Sequence, residues 1–88
     1  MKIYLGKIGL ENSWQKPFPA EIKCPQCEKK AEIMFVGQEG QGNGKKPYIC
    51  GLKETTGEKG GLWLHDVCSV AVYLCRTCFK PTALLNQA

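Results

Sequence analysis

Cys24-Pro25-Gln26-Cys27 and Cys75-Arg76-Thr77-Cys78 decide how this chain is read. Two residues between cysteines let both thiolates of one tight turn point at a single ion. Two such turns complete a tetrahedron of sulfur ligands, the closed geometry of a structural zinc site. Cys24, Cys27, Cys75 and Cys78 are therefore the expected ligands of one Zn2+ per chain. Pro25 presets a φ angle that suits the turn. The stretch between the pairs, residues 28 to 74, is a long loop for one ion to close, and such closure constrains the unfolded chain strongly. Structural zinc in small peptides binds with an apparent ~10–16 kcal/mol, which would dominate the stability of a domain this size.

The size of the chain makes such a staple useful. With 88 residues, one domain spanning 1–88 is expected. A core of that size is modest and often needs a metal, a disulfide or a partner. Hydrophobic residues make up 43%, too many for a disordered tail. No apolar run approaches the roughly 20 residues that span a bilayer, so no membrane role is expected. Met1 to Leu10 is apolar but broken by Lys2, Gly6, Lys7 and Gly9, and no small-residue cleavage site follows. That is not the uninterrupted apolar stretch of a signal peptide, and a cytoplasmic location is expected. In a reducing compartment paired Cys-x-x-Cys motifs point to metal rather than to a disulfide framework.

Outward from the cysteines the pattern is mainly β. Residues 31–37, Ala-Glu-Ile-Met-Phe-Val-Gly, predict a strand, and Pro47-Tyr48-Ile49-Cys50 predicts a short one. Residues 62–74 predict another, rich in valine, that runs directly into Cys75. Gln38 to Lys46 and Lys53 to Gly61 are polar and glycine-rich and read as flexible loops. Residues 2–10 read as a strand or an extended arm. Pro17 and Pro19 keep residues 14–20 extended, and residues 1–21 together are expected as an N-terminal arm packed on the core at 22–79. Trp14, Phe18, Trp63 and Phe79 read as core or anchor residues. After Lys80, the tail reads either as a short helix with Pro81 at its first position or as a frayed end.

With its two cysteine pairs and the β-rich stretch between them, the chain resembles a zinc ribbon over residues 22–79. The resemblance implies two cysteine knuckles at the ends of β-hairpins and a three-stranded antiparallel sheet. It is nearly silent on function, because zinc ribbons serve many processes. Knuckles of that superfamily often place glycine after the second cysteine. Here Glu28 and Phe79 stand there instead.

Other readings of the cysteines are weaker. A rubredoxin-like iron site uses the same four thiolates. A thiol redox site at Cys24-Cys27 would need a βαβ context, and it would leave the second pair unexplained. Cys50, His65 and Cys68 form a candidate second metal set, because His65-x-x-Cys68 has ligand-like spacing. If residues 62–74 were one regular strand, however, His65 and Cys68 would face opposite sides. Free cysteines are also often simply buried. The loop Gly40-Gln41-Gly42-Asn43-Gly44-Lys45-Lys46 is not a phosphate loop: no Ser or Thr follows the lysine, and Pro47 rather than a helix comes next.

The charge excludes little but shapes the partner classes. Twelve basic and eight acidic residues give +4, and a zinc ion with four thiolates would lower that to about +2 (4 − 2). Arg76 is the one arginine. Lysine binds phosphate as a point charge, whereas arginine reads bases with a bidentate fork. Backbone contacts from Lys23, Lys29, Lys30, Lys45, Lys46 and Arg76 are thus a candidate nucleic-acid interface without sequence reading. No catalytic set emerges, and four thiolates leave zinc no open position. The expectation is a non-enzymatic zinc module that docks on a protein or nucleic-acid assembly, with no evident small-molecule substrate. The alternative is a redox or electron-transfer protein.

Overall fold

The computed structural model describes residues 1–39, 47–51 and 68–87. They form a small, mainly β structure built on one open antiparallel sheet. In chain order the elements are β1 (Lys2–Leu5), a 3-10 turn (Gly6–Gly9), β2 (Glu21–Lys23), β3 (Lys30–Gln38), β4 (Cys50–Gly51), β5 (Cys68–Cys75) and β6 (Pro81–Gln87). The strands lie in the order β4-β1-β3-β5-β6, and β2 also pairs with β3. β1 and β2 share one edge of β3 end to end. Leu5 is opposite Phe35, and Glu21 is opposite Glu32. The register of β3 against β5 shifts between Ile33 and Phe35, near the seam between β1 and β2. A bulge bends a strand locally.

Alternation along β5 sets the core. Ser69, Ala71, Tyr73 and Cys75 are buried, while Val70, Val72 and Leu74 are half-buried. Their neighbours across β3 on the buried face are Val36, opposite Ala71, and Ala31, opposite Cys75. Residues 6–20 cross this face. Phe18 joins the core with Cys24, Ala31, Val36, Ala71, Tyr73 and Cys75. The Tyr73 hydroxyl donates to the Pro19 carbonyl at 2.7 Å and fastens the crossing chain. At Gly9 the approach is closest. A Cβ there would lie 2.6 Å from the Tyr4 Cβ and 2.8 Å from the Val36 Cβ, so only glycine fits.

Several expectations change here. The sheet is antiparallel, as the ribbon resemblance implies, but among the described residues it has six strands rather than three. Of the two readings of residues 2–10, strand or extended arm, Lys2–Leu5 take the first, because the C-terminal half of β3 offers them a partner. The segment from Pro81, expected as a short helix or a frayed end, is a strand. Ala, Leu and Gln favour helix weakly, but the turn at Cys75–Lys80 returns the chain alongside β5, and seven residues pair there. Gln38 and Glu39 open the stretch expected as a flexible loop, yet both are buried. Asn12 donates to the Gln38 side-chain oxygen at 3.1 Å, and the Cys68 amide donates to the Glu39 carboxylate at 3.1 Å. Buried polar groups need such partners. Phe18 is buried and Trp14 half-buried, as core or anchor residues would be, but Phe79 is 70% exposed. Trp63, the rest of both glycine-rich loops and residues 62–67 lie outside the described residues. Among the described residues no helix is long and apolar enough to cross a membrane.

Candidate metal centre

Each cysteine pair sits on a turn that joins two antiparallel strands. The first turn, Cys24–Lys29, joins β2 to β3, and the second, Cys75–Lys80, joins β5 to β6. The two are built alike. The Cys24 amide donates to the Lys29 carbonyl at 2.7 Å, and the Glu28 amide donates to the Cys24 carbonyl at 3.0 Å. The Cys75 amide donates to the Lys80 carbonyl at 3.1 Å, and the Phe79 amide donates to the Cys75 carbonyl at 2.8 Å. Glu28 has φ 63° and Phe79 has φ 61°. These are the positions where the ribbon pattern has glycine, the residue that enters the left-handed region without steric cost. Both turns enter the left-handed region here with a side chain and carry its strain.

The sheet brings the turns together. β3 begins where β5 ends, with Ala31 opposite Cys75, so both turns emerge at the same end. Cys24 and Cys75 are buried, and Cys27 and Cys78 are partly exposed. Cys24 Sγ lies 3.6 Å from Cys78 Sγ, and Cys27 Sγ lies 3.4 Å from Cys75 Sγ. All four sulfurs fall within 4.8 Å of one another. Around zinc at about 2.3 Å from each sulfur, a tetrahedron has edges of about 3.8 Å. The four thiols thus have the chemistry and nearly the spacing of a metal cage.

Local electrostatics favours thiolate at half of the cage. The amides of Cys78 and Thr77 donate to the Cys75 sulfur and pull its pKa from 9.0 to about 6, against the opposing effect of burial. The Cys27 amide lowers Cys24, helped by the Gln26 amide at 3.4 Å, again against burial. The other two sulfurs go the opposite way. At Cys27 the Lys29 amide acts to lower the pKa, but the thiols of Cys75, Cys78 and Cys24 together with burial outweigh it and push it up to about 12. At Cys78 the Lys80 amide lowers, and burial with the Cys24 and Cys75 thiols raises more. Four neighbouring sulfurs cannot all hold negative charge without a cation among them, and a coordinating cation deprotonates such thiols outright.

The remaining candidates are scattered. Cys50 is exposed on β4 opposite Ile3, and Cys68 is buried at the start of β5. Two strands, β1 and β3, lie between them. At about 4.8 Å per strand they stand roughly 14 Å apart, too far to share an ion. His65 lies outside the described residues. Among the described residues, the four-cysteine group is the one set of Cys, His, Asp and Glu that could hold a metal. Of the proposed nucleic-acid contacts, Lys23 pairs with Glu28 at 3.7 Å, Lys30 with Glu21 at 3.0 Å and Arg76 with Glu32 at 3.6 Å. Lys29 is exposed beside the first turn, and Lys45 and Lys46 lie outside the described residues.

Sequence reading missed the amides that serve the sulfurs. A signal for them was present, because Cys-x-x-Cys-Glu28-Lys29 and Cys-x-x-Cys-Phe79-Lys80 repeat one six-residue pattern. Compared with known proteins, the chain matches no family model, no curated protein and no solved structure. The likeness to a zinc ribbon rests on these turns and their four sulfurs.

Proposed function

We propose that this chain is a non-enzymatic zinc module, in which one Zn2+ held by Cys24, Cys27, Cys75 and Cys78 fastens two knuckles and so stabilises a small surface for docking on a larger assembly. The convergence of four sulfurs within 4.8 Å supports this reading. Four thiolates would fill the coordination of the ion and leave no place for substrate. The residues that would surround the loaded site suit its charge. Lys23, Lys29, Lys30, Arg76 and Lys80 flank the ligands in sequence and would offset the −2 of zinc with four thiolates. A redox role for Cys24-Cys27 is not favoured, because the thiols of one pair face those of the other.

Between the two partner classes, protein is the better match. Three of the six candidate phosphate contacts already have a glutamate beside them, which dilutes a positive patch. Gel-shift titration against single- and double-stranded nucleic acid at low salt separates the classes. No shift is expected. Tight binding that weakens steeply with salt would assign the docking surface to nucleic acid instead.

A further inference from the structure

The outer edge of β6 is the last strand edge in the order β4-β1-β3-β5-β6, and among the described residues nothing pairs with it. Exposed edges are usually blunted by charge, lysine above all. β1, β2 and β3 each carry charged residues, but Pro81-Thr82-Ala83-Leu84-Leu85-Asn86-Gln87 carries none, in a protein of net charge +4. Leu84 is 36% exposed and Leu85 is 59% exposed.

The hydrogen-bond phase of β6 is fixed at its start. The Cys75 amide donates to the Lys80 carbonyl, so residues 75 and 80 form a hydrogen-bonded pair. Alternation along the unbroken β5–β6 register then turns the backbone groups of Thr82, Leu84 and Asn86 toward β5 and those of Pro81, Ala83, Leu85 and Gln87 outward. Two observations agree. Pro81, which has no N–H, occupies an outward position where no ladder bond is lost. The Gln87 carbonyl accepts from the Gln15 side chain at 3.1 Å, outside the sheet ladder. Pro81 and Gln15 thus close the two ends of the edge. Ala83 and Leu85 are the positions between them that turn both N–H and C=O outward.

We infer that β6 pairs with β6 of a second copy of this chain, antiparallel, about a two-fold axis at Leu84. Only that register sets Ala83 opposite Leu85 of the other copy, so that each exchanges both backbone bonds, and the axis repeats the exchange. Large then meets small on one face, Leu85 beside Ala83. Leu84 meets its own copy on the other. With no charge on the strand, self-pairing brings no like charges together. A strand from an unrelated partner would have no reason to match this register, whereas a two-fold interface matches itself by construction.

Sedimentation velocity on the zinc-loaded full chain, from micromolar to near-millimolar concentration, tests the inference. A dimer that dissociates on dilution is expected. Leu85→Lys places a charge at an exposed position opposite Ala83 of the other copy, and Ala83→Pro removes an outward N–H that β5 does not use. Each is expected to weaken the dimer at least tenfold while zinc content stays that of the parent. A parent protein that stays monomeric throughout the range overturns the inference. So does a zinc-loaded Leu85→Lys variant that dimerises as the parent does, and this variant decides the matter if Ala83→Pro does not fold.

Discussion

Gly9→Ala tests whether residues 6–20 are seated on the sheet as described. The new Cβ would stand 2.6 Å from the Tyr4 Cβ and 2.8 Å from the Val36 Cβ. Both are first side-chain atoms fixed to strand backbone, so neither can rotate away. Ordinary contact between carbons begins near 3.5 Å, and the crossing chain must lift by most of the difference. Overpacking of this kind costs about 1–3 kcal/mol. Alanine also restricts the unfolded chain and returns about 0.4–1 kcal/mol. A net loss of about 1–2 kcal/mol follows, or a drop in Tm of roughly 5–15 °C for a domain this small. Thermal unfolding should be followed by far-UV circular dichroism at a buffered free zinc concentration, because a bound metal makes Tm depend on its concentration. Gly6 is the comparison. It has φ +57° with nothing within 4 Å of a new Cβ, so alanine and serine there should cost alike, through backbone strain alone. At Gly9 valine should cost more than alanine. A Gly9 series that is neutral, or indifferent to side-chain size, would refute the seating of residues 6–20 on β1 and β3.

Two further outcomes concern the knuckles. Glu28→Gly removes a side chain from a left-handed position and breaks only an exposed ion pair with Lys23; relief of about 1–2 kcal/mol, less about 0.5–1 for glycine's flexibility, predicts a small gain in zinc-loaded stability by urea denaturation, and a loss would show that Glu28 does more than fill the turn. Metal affinity should fall with acid: Cys27 is held up at about 12 and Cys78 is also raised, so the metal-free cage keeps those protons at neutral pH and loading must expel them. Competition with a chromophoric zinc chelator between pH 6 and 8 should show affinity rising with pH by about tenfold per unit for each proton released, and a flat profile would contradict protonated ligands in the metal-free state.

The four-cysteine cluster was legible because Cys-x-x-Cys is a local constraint: the spacing alone aims two sulfurs at one point. β3 was legible for a similar reason, since Ile33, Phe35 and Val36 carry strand preference within themselves. β5 was legible from Val70, Val72 and Tyr73. β6 was not, because Thr-Ala-Leu-Leu-Asn-Gln carries no strand signal and becomes a strand through the edge that β5 presents. β1 was half legible: Ile3 and Tyr4 suggest strand, but their partners, Gly37 and Val36, are more than thirty residues away. The burial of Gln38 and Glu39 was hidden for the same reason. Their partners, Asn12 and the Cys68 amide, are 26 and 29 residues distant, and polarity alone reads as solvent. What sequence conveyed well was local geometry, and what it missed was set by pairing at long range.

Metal stoichiometry is the most direct test of the central claim. Native mass spectrometry should be applied to the protein purified without added metal, beside Cys24→Ser and Cys50→Ser. The account predicts one zinc per chain, lost in Cys24→Ser and kept in Cys50→Ser, because two strands separate Cys50 from β5 and it stands outside the sulfur cage. A parent protein without metal, or a zinc that survives Cys24→Ser and leaves with Cys50→Ser, would contradict it.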